Sequence, residues 1–137
     1  MRFLDTTVLL YAISTDAAEQ RKARIAIELL DAPDLGLSVQ VLQEFYVQAT
    51  RPSRFGALPH ALAARYVDHW QALPVQDLTV TLVRAALASC QRFGISYWDA
   101  AIIEAARALG CKTVLSEDLQ HGASYGGVRV QNPFRAR

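Results

Sequence analysis

Net charge is almost absent from this sequence: 14 Lys and Arg stand against 13 Asp and Glu, leaving +1 at neutral pH with the histidines neutral. That argues against a surface gripping nucleic acid by bulk charge alone, although acids in a pocket with bases around its rim would give the same sum. Charge of either sign is sparse too, at 20%, while 52% of residues are hydrophobic. Such a chain is not disordered, and it has the material for a core. Cysteine is reduced to Cys90 and Cys111, in no metal-ligand spacing and too few for a disulfide framework. No apolar run approaches the roughly 18 residues of a membrane span, and Met1-Arg2-Phe3-Leu4-Asp5 reaches a carboxylate too early for a signal-peptide core. A cytoplasmic location, with no membrane partner, is the expectation. Linker-like Gly, Pro or Ser runs and internal repeats are also missing, so residues 1–137 are read as a single domain.

What is present is an alternation of short apolar strands and longer helical patterns. Arg2-Phe3-Leu4 reads as a buried strand, and Asp16 to Asp31 as a helix with Ala23, Ala26, Ile27 and Leu30 at helical spacing. Leu35-Gly36-Leu37 follows as a strand. Ser38 then reads as the N-cap of a helix burying Leu42, Phe45, Tyr46 and Ala49. Leu58 to Trp70 is helical, Val75 to Leu78 extended, and Thr79 to Phe93 helical up to Gly94. Ser96 caps a helix from Tyr97 to Leu109 that stops at Gly110, and Thr113-Val114-Leu115 and Val128-Arg129-Val130 are the last strands. Alternating strands and helices imply βαβ units. The expected fold is a three-layer α/β/α domain around a mainly parallel sheet of about five strands. Ligands of such sheets bind beyond the carboxyl ends of the strands, where the strand order reverses.

Three aspartates fall at that edge. Asp5 ends the first strand, and it reads equally as a helix N-cap. Asp118 follows the strand ending at Leu115; a turn residue is its plainer reading, and alternation turns its neighbour Glu117 away from it. Asp99 shares a helix side with Ile102, Ile103 and Ala106, where a lone carboxylate is costly to bury. Ser96-x-x-Asp99 also fits a capping box, which needs the same acid. Glu44 lies on a polar stripe with Gln40 and Gln48, which solvent exposure alone would explain.

In order along the chain, Leu4-Asp5-Thr6-Thr7-Val8-Leu9, Ser38-Val39-Gln40-Val41-Leu42-Gln43-Glu44-Phe45, Ile95-Ser96-Tyr97-Trp98-Asp99-Ala100-Ala101-Ile102 and Leu115-Ser116-Glu117-Asp118-Leu119-Gln120-His121-Gly122 resemble the acidic motifs of the PIN-domain family. The likeness is to its VapC-type toxins in particular, and Asn132-Pro133-Phe134 resembles a common ending of theirs. The resemblance implies a Mg²⁺- or Mn²⁺-dependent endoribonuclease, the toxin of a type II toxin–antitoxin pair that inhibits translation or growth. It makes Asp5, Glu44, Asp99 and Asp118 the catalytic and metal-binding quartet, with Glu44 a ligand or a base that orients water. It also implies a homodimer and a cognate antitoxin that blocks the site. Where the opening motif usually carries Asn, this chain has Thr7.

Beside these acids, Ser116 and Thr6 could hold carboxylate rotamers by hydrogen bonds, with turn and cap roles as the plainer reading. Arg51 and Arg54 are candidate contacts for RNA phosphates, with Arg21, Lys22 and Arg24 as a second basic cluster; solvated surface is the competing reading for both. His121 lacks the spaced partner of a zinc site and reads as a loop residue. Tyr97 and Trp98 flank Asp99 as possible stacking platforms, with core packing favoured for Trp98.

Other α/β chemistries lack their motifs. There is no G-x-x-x-x-G-K-[S/T] loop and no G-x-G-x-x-G after the first strand. A haloacid-dehalogenase-like site needs a second Asp where Thr7 stands, and Lys112 is poorly placed for a receiver-like phosphoacceptor site. The remaining alternative is a catalytically silent module that keeps the fold to bind RNA or protein.

Overall fold

Strand β1 (Arg2–Leu4) leaves neither Phe3 nor Leu4 exposed to solvent. Successive residues of a strand face opposite sides, so both faces of the sheet are covered at its centre. All four residues of β2 (Leu35–Ser38) are buried as well, as the parallel sheet of an α/β protein requires. A computed structural model describes residues 1–135; residues 136 and 137, included in the expected domain, lie outside the described residues.

After β1 the chain forms α1 (Thr6–Ala12), a 3₁₀ turn (Ala17–Glu19) and α2 (Gln20–Leu29), then β2, α3 (Val39–Ala49), α4 (His60–Trp70) and β3 (Val75–Gln76). It continues with α5 (Val80–Phe93), α6 (Tyr97–Ala108), β4 (Thr113–Leu115), β5 (Ser124–Tyr125) and β6 (Val128–Gln131). The strand order is β3-β2-β1-β4-β6-β5, parallel throughout except for β5. The chain builds outward from β1 to β3 and then returns to the other side of β1 for β4. The reversal point therefore lies between β1 and β4.

The sheet has six strands where five are expected. The additional one, β5, pairs with β6 through Gly126 and Gly127, whose φ values of 58° and 91° suit a two-residue hairpin turn. Boundaries shift for local reasons. Asp16 accepts a hydrogen bond from the Ala18 N–H at 3.0 Å and opens a 3₁₀ turn ahead of α2. Pro59 is extended, at ψ 153°, and delays α4 to His60.

Helix α6 packs along β2, β3, β4 and β6, with α5 against it through Ala86, Ala100 and Ala101; α1 to α4 pack on one another in the opposite layer. Phe45 is fully buried and meets Trp70 edge-on at 4.6 Å and Tyr66 at 6.2 Å, which locks α3 to α4. Truncating it would cost about 3–5 kcal/mol. The same anchor fixes the rotation of α3 and so the direction of the adjoining Glu44. Among the described residues no helix is long and apolar enough to cross a membrane.

Candidate active site

Because β1 and β4 pair in register at Leu4 and Leu115, the residues that follow leave the sheet side by side. The Asp5 N–H donates to the Leu115 carbonyl at 3.0 Å. Asp5 both ends β1 and caps α1, its Oδ1 accepting from the Thr6 N–H at 2.7 Å. Its Oδ2 accepts from the Ser116 hydroxyl at 2.6 Å. Both residues are buried, Ser116 completely. The same Ser116 oxygen accepts from the N–H groups of Asp118 and Leu119, each at 3.2 Å. One hydroxyl thus ties the buried aspartate to the turn that carries Asp118.

Glu44 reaches this group from α3. Ser38 caps that helix on the Val41 N–H, and Glu44, half-buried, accepts from the Thr6 hydroxyl at 2.8 Å and from Gln40 Nε2 at 2.7 Å. Its polar stripe is therefore more than a solvated face. Gln40 Nε2 also lies 3.4 Å from the Trp98 carbonyl, bridging α3 to the start of α6. There Ser96 Oγ accepts from the Asp99 N–H at 3.1 Å. Only this half of the capping box forms: among the described residues the Asp99 carboxylate accepts no hydrogen bond, and it is half-buried at the same edge.

Electrostatics links all four acids. Burial, chiefly, pushes the Asp5 carboxyl up to about 6; hydrogen bonds from Ser116 and Thr6 oppose this, and the charges of Glu44 and Asp118 add to it. Asp118 is also raised, first by burial and then by the charges of Glu117, Asp99 and Glu44. None of the four has an ion-pair partner among the described residues, where the salt bridges are Arg2–Asp34, Lys22–Glu117 and Arg107–Glu104. Uncompensated carboxylates at one sheet edge are a costly arrangement unless a cation joins them.

The donor set is all oxygen, which fits a hard divalent ion. Among the described residues, however, no group of three His, Cys, Asp or Glu side chains is placed to hold a metal ion. The fit is thus to an ion that keeps most of its waters and takes one or two carboxylates directly, as Mg²⁺ commonly does.

Other expected contacts divide. Arg51 is exposed beside Glu44, whereas Arg54 is half-buried with Nη2 at 3.5 Å from the Leu10 carbonyl. The second basic cluster is partly used inside the chain: Lys22 pairs with Glu117 at 2.6 Å, and Arg21 donates to the Phe134 carbonyl at 3.0 Å. Glu117 turns away from the quartet, as alternation indicates, and also accepts from the Tyr11 hydroxyl. His121 is a loop residue whose Nδ1 accepts from the Asn132 N–H at 3.0 Å. Trp98 corrects the core-packing expectation, being 65% exposed, since α6 buries its alanines and isoleucines and turns residue 98 outward. Gln40 and Thr7 are named in the sequence reading, but their contacts are not. The i, i+4 spacing of Gln40 and Glu44 is a usable signal; the contact of Thr7 Oγ1 with the Glu117 N–H at 3.5 Å, across 110 residues, has none.

Known proteins supply the context. A comparison with curated protein sequences finds no match. Among solved structures, a toxin–antitoxin complex from Klebsiella pneumoniae superposes with a TM-score of 0.73 at 17% identity, covering 99% of this chain and 100% of that one. The Mycobacterium tuberculosis VapC20 structure, described as a sarcin–ricin-loop-cleaving toxin, gives 0.66 at 21% identity over 86% and 92%. FitAcB from Neisseria gonorrhoeae gives 0.66 at 17% identity over 99% and 100%. Likenesses at these identities show a shared fold. The PIN domain family matches residues 2–123, nearly the whole length, and the chain belongs to that family.

Proposed function

We propose that this chain is a Mg²⁺- or Mn²⁺-dependent endoribonuclease and the toxin of a type II toxin–antitoxin pair, acting in the cytoplasm to inhibit translation or growth. The observation that carries the reading is Asp5: a buried carboxylate, raised to about 6, with Glu44 and Asp118 adding charge and, among the described residues, no cationic side chain paired to it. Capping α1 and binding Ser116 account for the place of Asp5, but not for further carboxylates gathered around it, which hydrolysis of a phosphodiester at a metal would use. The toxins and toxin–antitoxin complexes of like fold support the same direction.

Asp5, Asp99 and Asp118 would hold the ion, directly or through its waters, with Glu44 as a further ligand or as the base that orients the attacking water. The ion, when bound, supplies a water of lowered pKa and neutralises charge on the phosphate. The protein's own part is positional. Ser116 fixes the rotamer of Asp5. Thr6 and Gln40 engage the two oxygens of Glu44, holding it where it can accept a proton from water. In the cell a cognate antitoxin covers the acidic edge, and the toxin pairs as a homodimer.

The test is cleavage of end-labelled RNA by purified protein with Mn²⁺, beside EDTA and Asp5→Asn controls. Cleavage that disappears in both controls supports the proposal. Intact protein that binds RNA and never cuts it would instead be a silent binding module.

A further inference from the structure

Beside the carboxylates, the exposed face of α3 runs into an open cleft of about 370 Å³ that begins at Glu44 and extends away from Asp5, Asp99 and Asp118. Its floor is Gln40, Glu44, Val47 and Gln48, residues at helical spacing, and Arg51 stands at the far end. Its wall is Trp98, 65% exposed and seated one residue before Asp99. An indole so exposed beside the acids offers a flat face on which a base can stack. This one is well held: its carbonyl receives Gln40, and its ring meets Tyr97 edge-on at 5.1 Å.

We propose that this cleft is the subsite for an unpaired nucleotide of the RNA next to the scissile bond, with its base stacked on Trp98 and a phosphate against Arg51. The inference rests on the nuclease reading of the adjoining acids. Three features favour a nucleotide over a protein segment. The cleft shares Glu44 with the acidic site, so a strand leaving the carboxylates enters it directly. Its lining sets glutamine amides and one guanidinium beside the exposed faces of Trp98 and Val47, the mix of a flat ring and polar edges that takes an unpaired base. Gln40 spends its amide N–H groups on Glu44 and the Trp98 carbonyl, but Gln43 and Gln48 carry a donor and an acceptor on one edge, the pattern that reads base edges, and the guanidinium matches phosphate. Stacking needs an unpaired base, so duplex RNA is a poor occupant.

The second tryptophan, Trp70, is buried, so exposed Trp98 reports on the cleft. The experiment titrates a ten-nucleotide single-stranded RNA into the full chain in EDTA at low salt, following tryptophan emission and the anisotropy of a labelled copy. Saturable quenching is expected, weaker with the same sequence as a duplex. Trp98→Ala is expected to lose roughly 5- to 150-fold in affinity while Trp98→Phe keeps most of it. Arg51→Ala is expected to lower the slope of log affinity against log salt by about 0.7. Unchanged affinity in Trp98→Ala, or no quenching at saturating RNA, overturns the proposal. So does a Trp98→Ala variant that changes only oligomeric mass by light scattering, which would make the indole a contact between copies. A parallel Mn²⁺ cleavage assay separates the two readings. Cleavage without quenching sinks the subsite alone, whereas quenching that needs Trp98 without any cleavage overturns the nuclease reading and the subsite's place beside a scissile bond with it, leaving an RNA-binding cleft.

Discussion

Glu117 and Asp118 are neighbours in one turn and live under opposite electrostatics. Burial alone would raise Glu117, but Lys22 and the Tyr11 hydroxyl outweigh it and hold the carboxyl below its usual range. Among the described residues Asp118 has no such partner, and burial and three other carboxylates push it up; Asp5, deeper in the same edge, is pushed further. The paired acid ties the β4 turn to α1 and α2 and contributes to the fold. The unpaired acids work against it. On the proposed nuclease reading the first belongs to architecture and the second to chemistry, because a fold tolerates uncompensated buried charge chiefly where function requires it.

Asp5→Asn offers the largest effect on both sides of the contrast. Cleavage is expected to fall by more than about 100-fold, read from initial rates on labelled RNA with Mn²⁺. Stability is expected to move the other way. Folded Asp5 titrates at about 6 against 3.8 for an ordinary carboxyl, so between those values the native state holds a proton the unfolded chain has released. The metal-free protein therefore loses stability as pH rises through that window, by up to about 3 kcal/mol, and the loss is complete above it. In EDTA at pH 7, Asp5→Asn should melt roughly 5–10 °C above wild type, with the gap closing below pH 4. Mn²⁺ at 100 times its dissociation constant should return about 2.7 kcal/mol to the wild type and little to the variant. A variant that melts lower at pH 7 in EDTA would break the distinction between architectural and chemical acids.

How much of this was legible in the sequence differs by residue. Strand β1, the Ser38 and Ser96 caps and the helix closed by Gly94 follow from local rules: apolar runs, side-chain oxygens before helices, a left-handed glycine after one. The neighbouring positions of Asp5 and Asp118 were readable because both follow strands that end at a parallel sheet's carboxyl edge. Glu44 was readable by family likeness and not by its stripe, since its partner Thr6 is 38 residues away and no helical wheel contains it. Trp98 was misread for a related reason. Its neighbours on α6 pack inward, and hydrophobicity alone does not say which residue of the first turn faces out. Strand β5 was missed although Gly126-Gly127 between Tyr125 and Val128 is a hairpin signal, because two residues are too few to show a period.

Ser116→Ala sharpens the contrast at its joint, and its effect is the next in size. The hydroxyl serves Asp5 Oδ2 and the N–H groups of Asp118 and Leu119 from a fully buried position. Its loss should lower cleavage by about 10- to 100-fold, because the carboxylate loses its fixed rotamer while the acids themselves remain. Unlike Asp5→Asn, it should also destabilise the fold, by about 1–3 kcal/mol in urea melts, since buried polar groups lose their partner. A Ser116→Ala protein with wild-type cleavage would mean that Asp5 needs no such positioning.

Glu117→Gln should have the smallest effect, and its sign separates it from Asp5→Asn. The amide keeps an acceptor for the Tyr11 hydroxyl and gives up the ion pair with Lys22, whose partners are 36% and 25% exposed. Pairs so open to water are worth about 1 kcal/mol or less, and a loss of that size is expected in urea melts at pH 7. Because folded Glu117 sits below its ordinary range, its contribution is complete above that range and disappears as pH falls through the lowered value. The difference between Glu117→Gln and wild type should therefore vanish in acid, where Lys22 faces a protonated carboxyl in one and an amide in the other. Cleavage should stay close to wild type, since Glu117 faces α1 and α2 and its charge reaches the site only by raising Asp118. An intact, fully folded Glu117→Gln protein that no longer cuts RNA would place this acid among the reacting ones, and pairing with Lys22 would then be no guide to which carboxylates serve the fold.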